Sequence, residues 1–382
     1  MPAPSPEEEK HTKTMPPSVY FDIPHLYYLP QYQPVYDELT RHGADCTFVF
    51  YEKPEADLLH SVINQYQLPV KWVKDEVAAL ELYRTDKPNW VIFGNDFLGL
   101  TQLDKNVTRC ALLFHGSGTG VKGASLSPGL GEVDVRFVSG PARLPIFREL
   151  YPDVKLVTVG FAKLDPLFGP EEQQPKFDLA ELGLDPAKKT LLYAPTFYPS
   201  SIENMGKDWP KQFAEYNILI KPHDFTLNKK RYRHQLKRLH EWEKFDNVWL
   251  ARPTDYSLIP FMATADVMAT DTSSAIFEFA SLDKPVIVCD FVRLRWGYRG
   301  PLRFRLRKRL DASTEQYQDI ASHAARFKDL KGIVDEQMQQ PEKLRTRRLE
   351  YAEQIMGQRD GKVAQRIVDF RLKDTGLEGK TP

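Results

Sequence analysis

The chain has few of the residues that would support a disulfide scaffold, a structural zinc site or a membrane span. Only three cysteines occur among 382 residues, at Cys46, Cys110 and Cys289. They form neither a CxxC pair nor a metal-ligand spacing. We therefore expect them to be reduced core residues of a cytosolic protein. The sequence also lacks a run of 18 apolar residues, which argues against a membrane-spanning helix.

The sequence has no excess of charge of either sign. Lysine plus arginine and aspartate plus glutamate both total 52, so the global charge favours neither a nucleic acid nor an acidic partner. Residues 1–18 are rich in proline and glutamate and lack the apolar core of a signal peptide. We expect a disordered tail there and a cytoplasmic protein.

Strand-like and helix-like segments alternate along the chain and predict an α/β fold. The chain is too long for one ordinary core, and buried strands separated by helices are typical of parallel sheets covered on both faces. Two such halves fit the GT-B architecture and several binding proteins, so the fold alone leaves the function open. The predicted segments are a disordered tail (1–18), an N-terminal Rossmann-like domain (19–168), a linker (169–189), a second Rossmann-like domain (190–313) and C-terminal helices (314–382).

Two histidines each follow a strand-like run. His115 follows residues 109–114 and precedes a glycine-rich turn that begins at Gly116. His223 follows residues 217–221 and a proline, which turns the chain out of the sheet. Ligands of open α/β sheets collect at the carboxyl ends of strands, where a histidine can transfer a proton near neutral pH. Taken singly, each segment also fits a plain turn.

The most specific pattern lies in residues 265–280. Asp271 ends a strand-like run, Ser273 and Ser274 begin a turn, and an apolar helix that carries Glu278 follows. Serines at this place cap helices, and the same helix end can hold a phosphate. In this interpretation Glu278 reaches a ribose hydroxyl.

Two further segments carry candidate binding residues. Thr196 ends a strand-like run in a Pro-Thr turn, so its hydroxyl is expected to face the cleft. Residues 291–310 contain eight lysines and arginines and no acid, with aromatic residues between them. We predict that Arg303, Arg305 and Arg307 face an anionic partner, a lipid headgroup or a polyanionic acceptor. RNA is the least favoured partner because no RNA-binding motif accompanies the stretch, and a solvated loop is the alternative.

Four segments, in this order and spacing, resemble the CDP-glycerol glycerophosphotransferase family, which includes teichoic acid primases and polymerases. The segments are Phe-His-Gly at 114–116, Tyr-Ala-Pro-Thr at 193–196, Lys-Pro-His at 221–223 and the acidic-Ser-Ser turn with its Phe-Glu helix and Asp-Lys-Pro at 270–285. The chain departs from the family in the residues that follow the first two segments. These departures leave the identity of the alcohol and of the acceptor open.

The resemblance implies a GT-B fold, with two Rossmann-like domains that face a cleft, the first for an acceptor and the second for a nucleotide donor. It implies transfer of glycerol phosphate or a similar phospho-alcohol from a CDP-activated donor to an acceptor hydroxyl, with release of CMP. The acceptor would be a cell-surface polymer or a lipid-linked glycan, reached from an anionic membrane at the inner face of the plasma membrane. We expect no nucleic-acid partner, no cofactor and no metal, since no carboxylate cluster of suitable spacing is present.

Under this hypothesis one of His115 and His223 is the general base and the other stabilises charge on the phosphoryl oxygens. The residues themselves do not rank the two, and the resemblance favours His115 as the base. The predicted donor-binding residues are Gly116, Thr196, Asp271, Ser273, Ser274 and Glu278. Two alternatives remain: a GT-B glycosyltransferase or epimerase that uses a sugar nucleotide, and a non-catalytic nucleotide-binding protein.

Overall fold

Two all-parallel β-sheets, one in each half of the chain, form the framework of the computed structural model. The structure describes residues 16–52, 56–116, 126–305 and 312–374. The first sheet has seven strands in the order β3-β2-β1-β4-β5-β6-β7, and the second has six in the order β10-β9-β8-β11-β12-β13. Both orders are those of doubly wound α/β sheets. The predicted α/β fold with two Rossmann-like halves is confirmed.

The first sheet is built from short apolar runs, most of them buried on both faces. Its strands are β1 (Ser18–Ile23), β2 (Asp45–Tyr51), β3 (Val70–Val73), β4 (Trp90–Phe93), β5 (Arg109–Leu113), β6 (Val135–Val138) and β7 (Lys155–Thr158). The α-helices of this half are α1 (Leu29–Arg41), α2 (Ala56–Tyr66), α3 (Glu76–Asp86) and α4 (Leu144–Leu150). Helix α3 begins at Asp75, whose side chain accepts a hydrogen bond from the backbone N–H of Ala78, and such a cap stabilises a helix start.

The second sheet repeats this pattern. Its strands are β8 (Thr190–Ala194), β9 (Asn217–Ile220), β10 (Val248–Leu250), β11 (Val267–Thr270), β12 (Val286–Cys289) and β13 (Ser322–Ala324). The helices are α5 (Asp224–Asn228), α6 (Arg233–Trp242), α7 (Ile259–Thr264), α8 (Ala275–Ala280), α9 (Phe327–Gln339), α10 (Arg345–Met356) and α11 (Val363–Asp374). Layers of buried apolar residues cover both faces of each sheet.

The C-terminal stretch that the sequence predicts as helical contains a strand. Residues Ala312–Ile320 form a 3-10 helix, and β13 then pairs with β12 at the edge of the second sheet. Three residues are too few for a hydrophobic period to distinguish a strand from a helix. The pairing with β12 is what makes this segment a strand.

The last helices connect the two halves. Helix α10 packs on α8 and on the turn at Gly140, where a Cβ atom would lie 2.3 Å from the carbonyl oxygen of Gln354. Helix α11 returns to the first half and packs on α1. The Asp165 carboxylate accepts hydrogen bonds from the N–H groups of Val363 and Ala364 at 3.1 and 2.8 Å. The N-terminal half is therefore completed by the last helix of the chain, and the predicted domain boundaries stay a prediction.

Three smaller expectations concern the tail, the cysteines and the membrane. Residues 1–15 of the predicted disordered tail lie outside the described residues. Cys46, Cys110 and Cys289 are buried and form no disulfide, as expected. In the described part of the chain no helix has the length and apolar character needed to cross a membrane.

Candidate active site

His115 lies two residues beyond β5, at the carboxyl edge of the first sheet. Its Nδ1 atom is 2.9 Å from the carbonyl oxygen of Gly94. Because a carbonyl oxygen only accepts hydrogen bonds, Nδ1 must carry a proton. The neutral ring then has its lone pair on Nε2. Tyr28 stacks on the imidazole, with ring centroids 4.4 Å apart and ring planes within 8° of parallel.

Gly94, directly after β4, makes this stacking possible. A Cβ atom at this position would lie 2.6 Å from Cδ2 of Tyr28 and 2.7 Å from the hydroxyl of Tyr32. Neither separation is compatible with packed atoms. The glycine therefore provides both the acceptor for His115 Nδ1 and the space for the ring that covers it.

His223 lies at the corresponding edge of the second sheet, three residues beyond β9, and is the N-cap of α5. Its Nδ1 atom accepts a hydrogen bond from the backbone N–H of Phe225 at 3.1 Å. A backbone N–H only donates, so Nδ1 holds the lone pair and the neutral ring carries its proton on Nε2. Phe197 packs edge-on against this imidazole, with ring centroids 4.7 Å apart.

Tyr27 brings the two histidines into one cluster. Its ring centroid lies 5.3 Å from that of His115 and 6.0 Å from that of His223. Burial lowers the pKa of His115 to about 4 and the pKa of His223 to about 3, and the nearby charge of Lys221 adds to the shift of His223. Both rings are therefore neutral at neutral pH. The pair offers one ring nitrogen that accepts a proton and one that donates a hydrogen bond.

An ion pair crosses between the two halves beside the histidines. Lys163, in the 3-10 helix Ala162–Leu167 after β7, places Nζ 2.6 Å from Oε2 of Glu278 in α8. Glu278 is 3% exposed and also accepts a hydrogen bond from the hydroxyl of Ser274 at 3.0 Å. The side chain of Gln31 accepts a bond from the N–H of Lys163. Sequence analysis missed Lys163, since an isolated lysine in a turn carries no pattern.

A second cation lies at the end of β9. Lys221 is only 8% exposed, and burial lowers its pKa to about 8. Its Nζ atom is 3.4 Å from the carbonyl oxygen of Pro222. The charges of Lys163 and Lys221 both lower the pKa of His223, which places both cations close to that ring. Sequence analysis noted Lys221 in a motif without giving it a role.

Asp271 is buried and hydrogen-bonded to the loop after β8. It is fully buried, and its carboxylate accepts hydrogen bonds from the N–H groups of Thr196 at 3.0 Å and Ser201 at 3.1 Å. Burial raises the pKa of Asp271 to about 7. These hydrogen bonds hold the loop after β8, and the donor contact of Asp271 stays a prediction. Thr196 is half-buried in that loop.

Three other predicted donor-binding residues follow β5 and β11 closely in the chain. Ser273 and Ser274 are half-buried at the start of α8, and Ser274 is its N-cap without a side-chain capping bond. Gly116 is half-buried next to His115. The glycine-rich turn after it falls in 117–125, outside the described residues. Within the part that is described, no group of three or more His, Cys, Asp or Glu side chains is arranged to hold a metal ion.

In the basic stretch at 291–310, some side chains are exposed to solvent and others pack against the second half. Trp296 is 82% exposed, Phe304 is 50% exposed and Arg305 is exposed. Arg295 instead packs over the ring of Tyr198 and donates to a tyrosine hydroxyl. Arg303 ends a short 3-10 helix that begins at Gly300. Arg307 lies outside the described residues.

One protein-family model matches most of the chain. The model of the family described as CDP-Glycerol:Poly(glycerophosphate) glycerophosphotransferase matches residues 119–373. The teichoic acid ribitol-phosphate primase of Bacillus spizizenii is 26% identical over 244 residues, which cover 62% of this chain and 58% of the primase. The alignment thus spans less than two thirds of that relative.

Two solved structures superpose on most of the chain and share its fold. The wall teichoic acid polymerase TagF superposes with a TM-score of 0.65 at 16% identity, over 95% of this chain and 90% of that one. Staphylococcus aureus MnaA, solved with UDP, gives a TM-score of 0.63 at 14% identity, over 96% of this chain and 99% of that one. These likenesses support the two-domain GT-B arrangement.

Proposed function

The chain belongs to the family of CDP-glycerol:poly(glycerophosphate) glycerophosphotransferases, and on that premise we propose that it is a transferase of teichoic-acid-like polymer synthesis. It moves glycerol phosphate or a similar phospho-alcohol from a CDP-activated donor to an acceptor hydroxyl and releases CMP. The acceptor hydroxyl belongs to a polymer or to a lipid-linked glycan.

The observation that carries this proposal is the opposite hydrogen bonding of the two histidines. Nε2 of His115 holds a lone pair and accepts the proton of the acceptor hydroxyl as that oxygen attacks phosphorus. Nε2 of His223 carries a proton and donates a hydrogen bond to a phosphoryl oxygen. The new O–P bond forms, the bond between that phosphorus and the bridging oxygen breaks, and the bridging oxygen leaves with CMP. The two neutral rings thus provide both a proton acceptor for the attacking hydroxyl and a hydrogen-bond donor for the phosphoryl group.

The charged groups around the histidines support the same chemistry. A donor diphosphate carries negative charge that must be balanced in a partly buried site. Lys163 and Lys221 supply positive charge next to His223. We place the diphosphate between these lysines and the turn of Ser273 and Ser274. Glu278, whose carboxylate is bonded to Lys163 and Ser274, is the proposed partner of a ribose hydroxyl.

The proposal is tested by calorimetric binding of CMP, CDP-glycerol, CDP-ribitol, UDP-GlcNAc and GDP-mannose to the full chain, followed by an assay for CMP release. We expect binding of the cytidine ligands alone. Replacement of Ser273 and Ser274 by alanine should weaken donor binding. Selective binding of UDP-GlcNAc or GDP-mannose would contradict the proposal and favour sugar-nucleotide chemistry.

We further propose that the basic stretch, through its exposed residues Trp296 and Arg305, contacts the anionic inner face of the plasma membrane. Exposed tryptophan is favoured at the membrane–water interface, and arginine is attracted to anionic headgroups. Co-sedimentation with phosphatidylglycerol vesicles tests this. Trp296→Ser and Arg305→Glu should each reduce sedimentation, while phosphatidylcholine vesicles should bind neither variant nor the original chain. Equal binding by all three proteins would reject the contact.

A further inference from the structure

Gln235 is a buried glutamine in α6 whose side chain has no part in the proposed mechanism. It is 1% exposed, although Arg233, His234 and Lys237 of the same helix are exposed. A buried amide has to find hydrogen-bond partners for its oxygen and its nitrogen, because water no longer supplies them. The partners of Gln235 come from the loop after β8, residues 195–205, and from α5, which begins at the residue after His223.

The partners of this amide fix its orientation. Nε2 of Gln235 lies 3.1 Å from the carbonyl oxygen of Phe197 and 2.9 Å from Oε1 of Glu203. A carbonyl and a carboxylate only accept hydrogen bonds, so the atom that faces both of them has to be the nitrogen with its two protons. Oε1 of Gln235 then accepts from the hydroxyl of Thr226 at 3.1 Å. The oxygen and both amide protons are therefore bonded, and a flipped amide would lose these bonds.

Two of the three bonds lead to His223. The ring of Phe197 packs edge-on against the His223 imidazole, with ring centroids 4.7 Å apart. Thr226 is 1% exposed and lies in α5, the helix that His223 caps. Its backbone N–H donates to the carbonyl oxygen of His223 at 2.8 Å. Gln235 therefore connects the ring that covers His223 with the helix start that holds its Nδ1.

The rest of the loop after β8 has other supports. Arg238, three residues further along α6, donates from Nη1 to the carbonyl oxygen of Glu203 at 2.6 Å. Two other backbone N–H groups of the loop are held by the Asp271 carboxylate. Loss of the Gln235 amide should therefore loosen the ring beside His223 while the loop stays attached.

We propose that Gln235 is a positioning residue for His223. Its amide keeps the neighbouring ring and the helix start in fixed places, so that the imidazole presents its Nε2–H in one direction. A hydrogen-bond donor that is aligned before the reaction stabilises developing charge without a cost of reorganisation. The inference rests on the proposed function, in which this N–H donates to a phosphoryl oxygen, and it adds a residue that acts on that bond through His223.

Two substitutions of Gln235 test this role. Gln235→Met keeps the length of the side chain but removes all three hydrogen bonds. Gln235→Glu keeps its shape, but an ionised carboxylate cannot donate to the Phe197 carbonyl. In both variants we expect kcat to fall by about 3- to 10-fold, the effect of one hydrogen bond, because the His223 donor is less well aligned. The dissociation constant of CDP-glycerol should stay unchanged.

The pH dependence of Gln235→Glu provides a second readout. Burial and the neighbouring Glu203 carboxylate should raise the pKa of the introduced carboxyl group. Once it is protonated, this group can again donate to an acceptor oxygen. We therefore expect the kcat of Gln235→Glu to recover in part as the pH falls from about 8 to about 6, whereas the kcat of Gln235→Met stays low across this range.

Two-bond proton–nitrogen NMR spectra of protein with isotope-labelled histidine follow the His223 ring directly, and His223→Asn identifies its signals. In the original chain we expect the pattern of a neutral ring with its proton on Nε2. In Gln235→Met the two nitrogen signals should move towards each other, because the bond from the Phe225 N–H weakens and the other tautomer gains population.

Gln337→Met is the matched control, because Gln337 is also a fully buried glutamine of the second half but lies in α9, which packs on β11, β12 and β13. Thermal melting confirms that each variant is folded. We expect the kcat and the His223 signals of the control to match those of the original chain. Equal kcat in both Gln235 variants and the control would overturn the positioning role, and so would identical His223 signals in all of them.

The NMR comparison separates this inference from the proposed function. Absence of CMP release from CDP-glycerol by the original chain would reject the proposed function, and the His223 signals would still show whether Gln235 fixes the ring. CMP release by the original chain, together with a His223 ring that is unaffected by Gln235→Met, would reject the positioning role alone.

Discussion

His115 and His223 each lie at the carboxyl end of a strand, one in each half of the molecule, yet their rings are held in opposite states. Nδ1 of His115 donates to the Gly94 carbonyl, whereas Nδ1 of His223 accepts from the Phe225 N–H. The partner of one ring nitrogen fixes the protonation of the other. Two histidines at the ends of parallel strands are therefore not interchangeable, and the difference supports our proposal that the base lies in the first half.

The two histidine environments also differ in how far apart in the sequence their contributing residues lie. His223 is fixed by the N–H two residues ahead, within its own helix cap. His115 depends on Gly94 from the neighbouring strand and on Tyr28 from the β1–α1 connection. The first environment is local and the second is tertiary, so substitutions should damage them in different ways.

The largest effect is expected from His115→Asn. The asparagine amide can still donate to the Gly94 carbonyl, but no group remains at the position of Nε2 to take a proton. We expect kcat to fall by about 10²- to 10⁴-fold, the usual contribution of a general base, with donor affinity retained. His42→Asn is the control, because Nδ1 of His42 also hydrogen-bonds a backbone carbonyl, at 3.0 Å. Turnover equal to that of the control would remove His115 from the mechanism.

The second largest effect on kcat is expected from substitution of His223, compared in two single variants. Asparagine is a good N-cap and keeps the bond to Phe225, while alanine loses it. Both His223→Asn and His223→Ala should lower kcat by about 10- to 100-fold, the loss of a hydrogen bond to a charged group. Only the alanine variant should also lose about 1 kcal/mol of stability in urea unfolding. Full activity of the asparagine variant would show that the cap, and not Nε2, is what matters.

A smaller effect is expected from Gly94→Ala. The new Cβ would force Tyr28 away from His115, and overpacking of this kind costs about 1–3 kcal/mol. We expect a lower melting temperature together with a lower kcat, and no change in donor binding. Gly183→Ala offers a comparison, because it has open space around it and tests only the cost of a positive φ. Equal kcat values in the two variants would contradict the positioning role.

The smallest effect is expected from pH. Because burial lowers the pKa of His115 to about 4, its Nε2 is unprotonated at neutral pH and becomes protonated as the pH falls through about 4. We expect kcat/KM to show no acid limb from this ring between about pH 6 and pH 8, although a free histidine titrates near 6.5. A pH–rate profile measures this. An acid limb centred near 6.5 that disappears in His115→Asn would contradict the buried, neutral base.

The repeating elements were predictable because their signals are local. Runs of apolar residues that alternate with helix-like segments predicted two parallel sheets, and the structure has one in each half. The strand-end histidines and the Ser273-Ser274 turn were found for the same reason. β13 was missed because only pairing with β12 distinguishes it.

The remaining parts of the site have no local signal. Lys163 approaches Glu278 only because the 3-10 helix Ala162–Leu167 meets α8 across the two halves. The complete burial of Asp271 has no local signal either, because the residues that cover it come from other segments.

The sequence by itself determined the two α/β halves, the places where chemistry collects and the family to which the chain belongs, because each depends on neighbouring residues and short spacings. Only the tertiary structure decided which histidine holds its lone pair on Nε2, which lysines lie near the histidines and how deeply Asp271 is buried. These depend on hydrogen-bond partners and burial contributed by distant segments, and burial in particular sets the charge state of His115, His223, Lys221 and Asp271.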